Sequence, residues 1–165
     1  MRKIFVMSPR NLTIRKATAH DAGAIGQLAQ QFATYLRSLG DPTEFQFNAN
    51  TYLRDGFGAA PAFAGLVAEV EGQVIGYLLY HFGYDTDRAM RLLHIIDLYV
   101  HEDARRQGAG KALMQAAARI CRQAGGQELF WAVYVPNTLA AEFYARLGAR
   151  YTQDLQFMYW PVPTS

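Results

Sequence analysis

Cysteine is nearly absent from this chain: Cys121 is the single one in 165 residues. A lone cysteine closes no internal disulfide, which excludes a disulfide-stapled scaffold and points to a reducing, cytoplasmic compartment. Cys121 lies beside Ile120 and Ala124 on an apolar helical face and reads as a small buried residue, not a nucleophile. Long hydrophobic runs are missing too. No stretch approaches the roughly 18 apolar residues of a membrane helix. The opening MRKIFVM is too short for a secretory apolar segment and no small-residue cleavage site follows it, so residues 1–11 read as a leader with Met7 as an alternative start. Charge of one sign is scarce. Lys and Arg number 16 against 14 Asp and Glu, and a net +2 without a basic block gives no footprint for nucleic acid. Four histidines and one cysteine show no metal-ligand spacing, so no metal is expected.

What is present is material for a core. Hydrophobic residues make up 51% and charged residues 18%, a globular balance. The length suits one domain, residues 12–165, and neither repeat nor linker interrupts it. Leu12–Ala17 reads as a first strand. Thr18–Asp21, TAHD, has the spacing of a capping box, and Ile25, Leu28, Ala29, Phe32 and Leu36 then recur at helical intervals until Gly40 and Pro42. Residues 51–57 form a short second helix. Two apolar runs around Glu71-Gly72 read as a β-hairpin. Arg91–Val100, RLLHIIDLYV, is nearly continuously apolar, as in a strand covered on both faces. A polar loop leads to a helix over 110–124, then a strand over 128–135. A helix follows from Asn137 as N-cap to Gly148 as stop. The tail ARYTQDLQFMYW, 149–160, reads as a last strand.

The loop RRQGAGK, 105–111, lies between a strand and a helix. The first turn of a helix has unpartnered N–H groups and partial positive charge, and Gly108 and Gly110 carry no side chain to keep an anion away. Arg105, Arg106 and Lys111 add charge, which describes a diphosphate site. It is not a P-loop, because Ala112 stands where Ser or Thr is needed, nor a Rossmann fingerprint, because Leu113 stands at the third glycine. On the loop alone, a plain glycine turn at a helix start explains the sequence equally well.

The strand before the loop ends Asp97-Leu98-Tyr99-Val100. Beyond it, Asn137, Tyr144 and Gly148 fall in YVPNTLAAEFYARLGA. With Arg105, Gly108 and Gly110 these residues make the chain resemble the GNAT acetyltransferase superfamily over about residues 12–160. Leu53–Gly58, Leu66–Val70 and Ile75–Tyr84 are similar to the spermidine/spermine, or polyamine and thialysine, branch. The resemblance implies an α+β fold of α/β/α layers. Its central sheet is mixed and mainly antiparallel, with six to seven strands, about four flanking helices and a splayed parallel strand pair at the cofactor cleft. It implies acetyl-CoA as cosubstrate and a small-molecule primary amine, such as a polyamine or amino acid, as acceptor. The backbone of Leu98 and Val100, with Tyr99 between them, would pair with the pantetheine arm. Arg105, Arg106, Gln107, Gly108, Ala109, Gly110 and Lys111 would hold the pyrophosphate, and Asn137 and Tyr144 would stand near the pantetheine and the sulfur. A homodimer is common in that branch, and the aromatic QFMYW of the tail is a candidate contributor.

Acetyl transfer to an amine needs a neutral amine, a stabilised carbonyl oxygen and a stabilised thiolate. The resemblance implies Tyr144, seven residues after Asn137, as the acid; on composition alone, packing with Phe143 and Leu147 on one apolar helix face would explain it. The branch carries an acidic pair where this chain has Ile96-Asp97, so the first acid is missing. Adjacent strand residues face opposite ways, and Asp97 replaces the missing acid only if a bulge re-aims the chain. Asp97, directly or through water, is the preferred base, against a purely structural aspartate. His81 and His94 are alternatives for proton relay, although hydrogen-bonded strand histidines are the commoner case. Asp41, Glu44, Asp85 and Asp87 fall in loops that border a mouth. Two other functions fit the same residues: an acyl-CoA-binding regulatory module without transfer, and a peptide or protein N-acetyltransferase.

Overall fold

The computed structural model describes residues 11–153 and 155–163. The expected leader, apart from Asn11, lies outside them. Strand β1 (Leu12–Lys16) leads through a single 3-10 turn, Ala19–Asp21, into helix α1 (Ala22–Ser38) and then α2 (Ala49–Phe57). Strands β2 (Ala64–Val70), β3 (Gln73–Asp85) and β4 (Met90–Val100) follow, then α3 (Ala109–Gln123), β5 (Glu128–Phe130) and α4 (Thr138–Arg146). The five strands form one sheet in sequence order. Neighbours are antiparallel except β4 and β5, which run parallel. The β2–β3 hairpin closes on Glu71 and Gly72, both with positive φ, the conformation that a two-residue hairpin turn demands.

Each face of the sheet has its own core. Leu66, Leu78, Leu93 and Ile95 pack against Leu113 and Ala117 of α3. On the opposite face Val67, Tyr77, Leu79 and Tyr99 pack against Ile25 and Ala29 of α1 and Tyr52 of α2. The apolar faces read from helical periodicity are the faces that are buried, because burying one stripe of each helix on the sheet is what makes these helices stable.

The start of α1 is fixed by charge. The buried Asp21 carboxylate accepts from the Thr18 N–H at 2.7 Å, from the Thr18 hydroxyl at 3.0 Å and from the Arg15 guanidinium at 2.8 Å on each oxygen. Arg15 also reaches Glu69 on β2 at 2.9 Å. The Arg15 hydrogen bonds hold the Asp21 carboxyl at about 2, below the ordinary 3.8. A depressed carboxylate stabilises the fold above its unfolded pKa, and that contribution is lost as pH falls from about 4 through about 2. Asp21→Asn is expected to cost about 2 kcal/mol at pH 7, read as a lower urea midpoint, with the difference from the parent shrinking toward pH 2. An unchanged midpoint at pH 7 would refute the assignment.

Two expectations about strands are corrected. The sheet has five strands among the described residues, not six to seven. β5 stops at Phe130 instead of continuing to Val135, because Trp131 turns in against the Tyr144 ring, 4.8 Å between centroids. The tail over 149–160 forms no strand among its described residues. Met158, Tyr159 and Trp160 are 96%, 91% and 87% exposed, so among the described residues nothing covers these side chains.

Candidate active site

β4 and β5 make a V. They pair only over Leu92–His94 with Glu128–Phe130, after which β4 runs on to Val100 while residues 131–135 leave the sheet. The opening holds two spaces with lining residues in common. The wider, about 960 Å³, runs along Leu98–Val100, the loop from Arg105 to Lys111 and the front of α4. The smaller, about 220 Å³, reaches between Ile95–Leu98 and Trp131–Tyr134 toward the vertex, under Phe32 and Leu36 of α1. Tyr144 and Asn137 line both.

The floor of the smaller space is set by an irregularity. Leu79 pairs with Asp97 and Tyr80 with Ile95, which leaves Ile96 as an extra residue in β4. A bulge of this kind shifts the alternation by one. Ile95 therefore belongs to the α3-side core, whereas Asp97 falls on the same side as Tyr99 and Tyr77, whose core lies under α1. A bulge next to Asp97, of the kind the sequence reading required, is present. Its carboxylate accepts from the Tyr77 hydroxyl at 3.2 Å. Burial pushes the Asp97 carboxyl up to about 6, with the Tyr77 hydrogen bond working in the opposite direction. Tyr144 is half-buried between Trp131 and Phe143, and its hydroxyl has no hydrogen-bond partner among the described residues. Burial, and secondarily the charge of Asp97, raise its phenol to about 12.

The glycine loop divides its labour differently from the reading of its sequence. Gly108 has φ +89°, a left-handed conformation, and stands at the N-cap of α3 without a side chain over the first turn. Gly110 answers a packing need: a Cβ there would lie 3.2 Å from the Phe143 ring of α4. Arg105 is not a free cation. Its Nε donates to the Val100 carbonyl at 3.1 Å, and its guanidinium lies 5.2 Å from the Tyr35 ring centroid and 5.3 Å from that of Tyr99. The Gln107 amide donates to the Asp103 carbonyl at 3.2 Å, and Ala109 is buried. Arg106 and Lys111 are exposed at the rim of the wider space. The buried Asn137 accepts from the Ala140 N–H at 3.2 Å as N-cap of α4, and from the Tyr35 hydroxyl at 3.0 Å.

Tyr35, Tyr77 and Trp131 escaped sequence reasoning, which read Phe32 only as part of the apolar face of α1. Tyr35 follows Leu28 and Phe32 at the spacing of the buried face of α1, the one signal that pointed to it. Phe32 stacks on Tyr99 at 5.3 Å. His81 and His94 are bonded to each other, Nε2 to Nδ1 at 2.9 Å, and neither lines either space. Burial first, and then His81, lower the His94 pKa. Asp85 does not border the mouth either: Arg88 holds it at 2.7 Å and binds Glu128 as well.

A family model described as "Acetyltransferase (GNAT) family" matches residues 27–149. The chain belongs to this family. A thialysine N-epsilon-acetyltransferase of Bos taurus is 35% identical over 150 residues, 86% of this chain and 84% of that one. A spermidine/spermine N(1)-acetyltransferase-like protein of Homo sapiens is 28% identical over 143 residues, 82% of this chain and 20% of that one. The crystal structure of an aminoglycoside acetyltransferase from an uncultured soil sample superposes with a TM-score of 0.73 at 20% identity, covering 93% of this chain and 98% of that one, which shows the fold. GNAT acetyltransferases use acetyl-CoA, and the V of this GNAT chain fits that cosubstrate on its own features. From Ile95 onward β4 has a strand partner on one side only. The first turn of α3 faces the wider space with glycine at its cap and two exposed cations beside it. Among the described residues no helix is long and apolar enough to cross a membrane.

Proposed function

We propose that this GNAT acetyltransferase moves the acetyl group of acetyl-CoA to a primary amine of a small molecule by direct attack on the thioester. The observation that carries the reading is that Asp97 and Tyr144 line one cavity at the closed end of the V. Acetyl-CoA supplies an activated acetyl thioester. In the proposed arrangement Leu98, Tyr99 and Val100 flank the pantetheine arm, with the Val100 carbonyl already engaged by Arg105. Gln107, Gly108, Ala109 and Gly110 offer backbone to the pyrophosphate, Arg106 and Lys111 offer charge, and Arg105 braces the loop against Tyr35 and Tyr99. Asn137 orients the start of α4 and thereby Tyr144.

Asp97 takes the proton that the ammonium must lose before it attacks. The N–C bond then forms as the C–S bond breaks. Tyr144 hydrogen-bonds the departing thiolate, which takes the second proton released by the nitrogen and leaves as the thiol. Release of CoA thiol, matched by one acetylated amine, tests the reading; acetyl-CoA binding with no transfer to any small amine would refute it. The bulge favours transfer over a purely regulatory module, because it returns a carboxylate to the cavity where Ile96 withholds one.

The diphosphate assignment has its own test. The Arg106→Ala/Lys111→Ala double variant is expected to weaken CoA at least tenfold by calorimetry while leaving pantetheine, which lacks the phosphates, nearly unchanged. Equal CoA affinity in parent and variant would refute it. The reading extends to a cytoplasmic homodimer. Buried, unpaired Cys121 supports a reducing compartment, and the exposed Met158, Tyr159 and Trp160 support self-association. Sedimentation of the parent, with a monomer of 18.5 kDa as the opposing outcome, decides the dimer.

A further inference from the structure

The smaller cavity offers a single charge. Asp97 is the only carboxylate lining it, and no lysine, arginine or histidine does so among the described residues. Its other lining residues are mostly apolar or aromatic, with Phe32, Leu36, Ile96, Trp131 and Val133 among them, while Tyr134, Asn137 and Tyr144 also line it and about half of its exposed surface is polar. Ile96 is 44% exposed, and the bulge leaves it without a cross-strand partner. Such a side chain in a strand interior costs hydration unless something apolar comes to lie on it.

The other acids nearby are placed elsewhere. Glu102 and Glu142 line only the wider space, beside Arg105, Arg106 and Lys111, and Glu142 is 3.8 Å from Arg146. Asp41 lines neither space and accepts from the Thr43 N–H at 2.9 Å. Asp85 and Glu128 are held by Arg88. One ammonium can pair with Asp97. A second on the same molecule would be desolvated against Ile96 and Trp131 with no counter-charge, which is unfavourable. An aryl or branched alkyl body in the same place buries its own surface and that of Ile96 together.

The geometry points to a primary monoamine with an apolar body, an arylalkyl or branched alkyl amine, as the preferred acceptor, with Ile96 as the residue that selects against a second cationic centre. This rests on the acetyl-transfer reading and narrows its substrate. The test uses the full chain at saturating acetyl-CoA, with 2-phenylethylamine and isopentylamine set against putrescine, spermidine and lysine, and with thiol release and product mass as readouts. The better monoamine is expected to exceed every diamine, polyamine and amino acid at least tenfold in kcat/KM. Ile96→Glu is expected to narrow that ratio at least tenfold by raising spermidine and lowering the monoamine. Preference of the parent for spermidine, putrescine or lysine overturns the inference and leaves acetyl transfer standing. So does an Ile96→Glu variant that folds and keeps the parent's ratio. No transfer to any of the five amines, with CoA bound, overturns the inference, and acetyl transfer itself falls only when a wider set of small amines also gives none. If glutamate is not tolerated at 96, the parent's own ratios decide.

Discussion

Asp97→Asn is expected to lower kcat by about 10²–10³-fold, to leave the affinity for CoA within about twofold, and to remove the acid limb of the pH–rate profile. The substitution keeps the shape and the acceptor oxygen facing the Tyr77 hydroxyl, so a loss of rate reports the missing base and not a collapsed site. In the parent the carboxyl titrates at about 6, raised by burial. The base form is needed, so activity rises with pH through about 6 and then levels.

The same shift makes an opposite prediction for stability. A carboxyl whose folded pKa lies above its unfolded value favours the fold when protonated. That contribution is complete below about 4 and is lost as pH rises through about 6. At pH 8 the ionised Asp97 therefore destabilises the parent by as much as about 3 kcal/mol, and Asp97→Asn should melt several degrees higher there, with the gap closing toward pH 4. Rate down and stability up from one isosteric change is the signature of a carboxylate kept for chemistry. A structural aspartate would give lower stability and an unaltered acid limb, and that result would overturn the role.

Periodicity made most of the frame legible. The helix over 22–38 was readable because Ile25, Leu28, Ala29 and Phe32 recur on one face, and the β2–β3 turn because Glu71-Gly72 separates two apolar runs. The bulge at Ile96 was not readable. A run as apolar as RLLHIIDLYV has no polar-apolar alternation from which a slip of one residue would show, and only the pairing of Leu79 with Asp97 and Tyr80 with Ile95 exposes it. The hydroxyls of Tyr35 and Tyr77 were equally hidden, because their partners Asn137 and Asp97 lie 102 and 20 residues away and nothing local encodes the meeting. Gly110 shows a different limit. Its sequence context suggests an anion, yet the nearest obstacle to a side chain is Phe143. One glycine can therefore serve helix packing and ligand approach together. The tail misled because an alternating aromatic segment predicts a buried face without saying which chain covers it.

Tyr144→Phe is expected to reduce kcat by about 10²-fold at saturating amine and acetyl-CoA, with the KM for acetyl-CoA changed by less than about threefold. Its phenol, at about 12, lies well above a thiol's reference value of about 8.5. Full proton transfer to the thiolate is uphill by several kcal/mol at the outset, so Tyr144 acts first as a hydrogen-bond donor to developing negative charge. Tyr144 and Asp97 are coupled, because part of the elevation comes from the Asp97 carboxylate. Transfer of the ammonium proton to Asp97 removes that negative charge together with the positive charge of the ammonium, so the phenol faces a neutral pair as the C–S bond breaks. The two residues share one small cavity and should behave as a unit. The Asp97→Asn/Tyr144→Phe double variant is expected to lose less than the product of the two single losses, with an interaction of about 1 kcal/mol or more in a double-mutant cycle. Strictly multiplicative losses would separate the residues, and parental turnover in Tyr144→Phe would remove the tyrosine from the chemistry altogether.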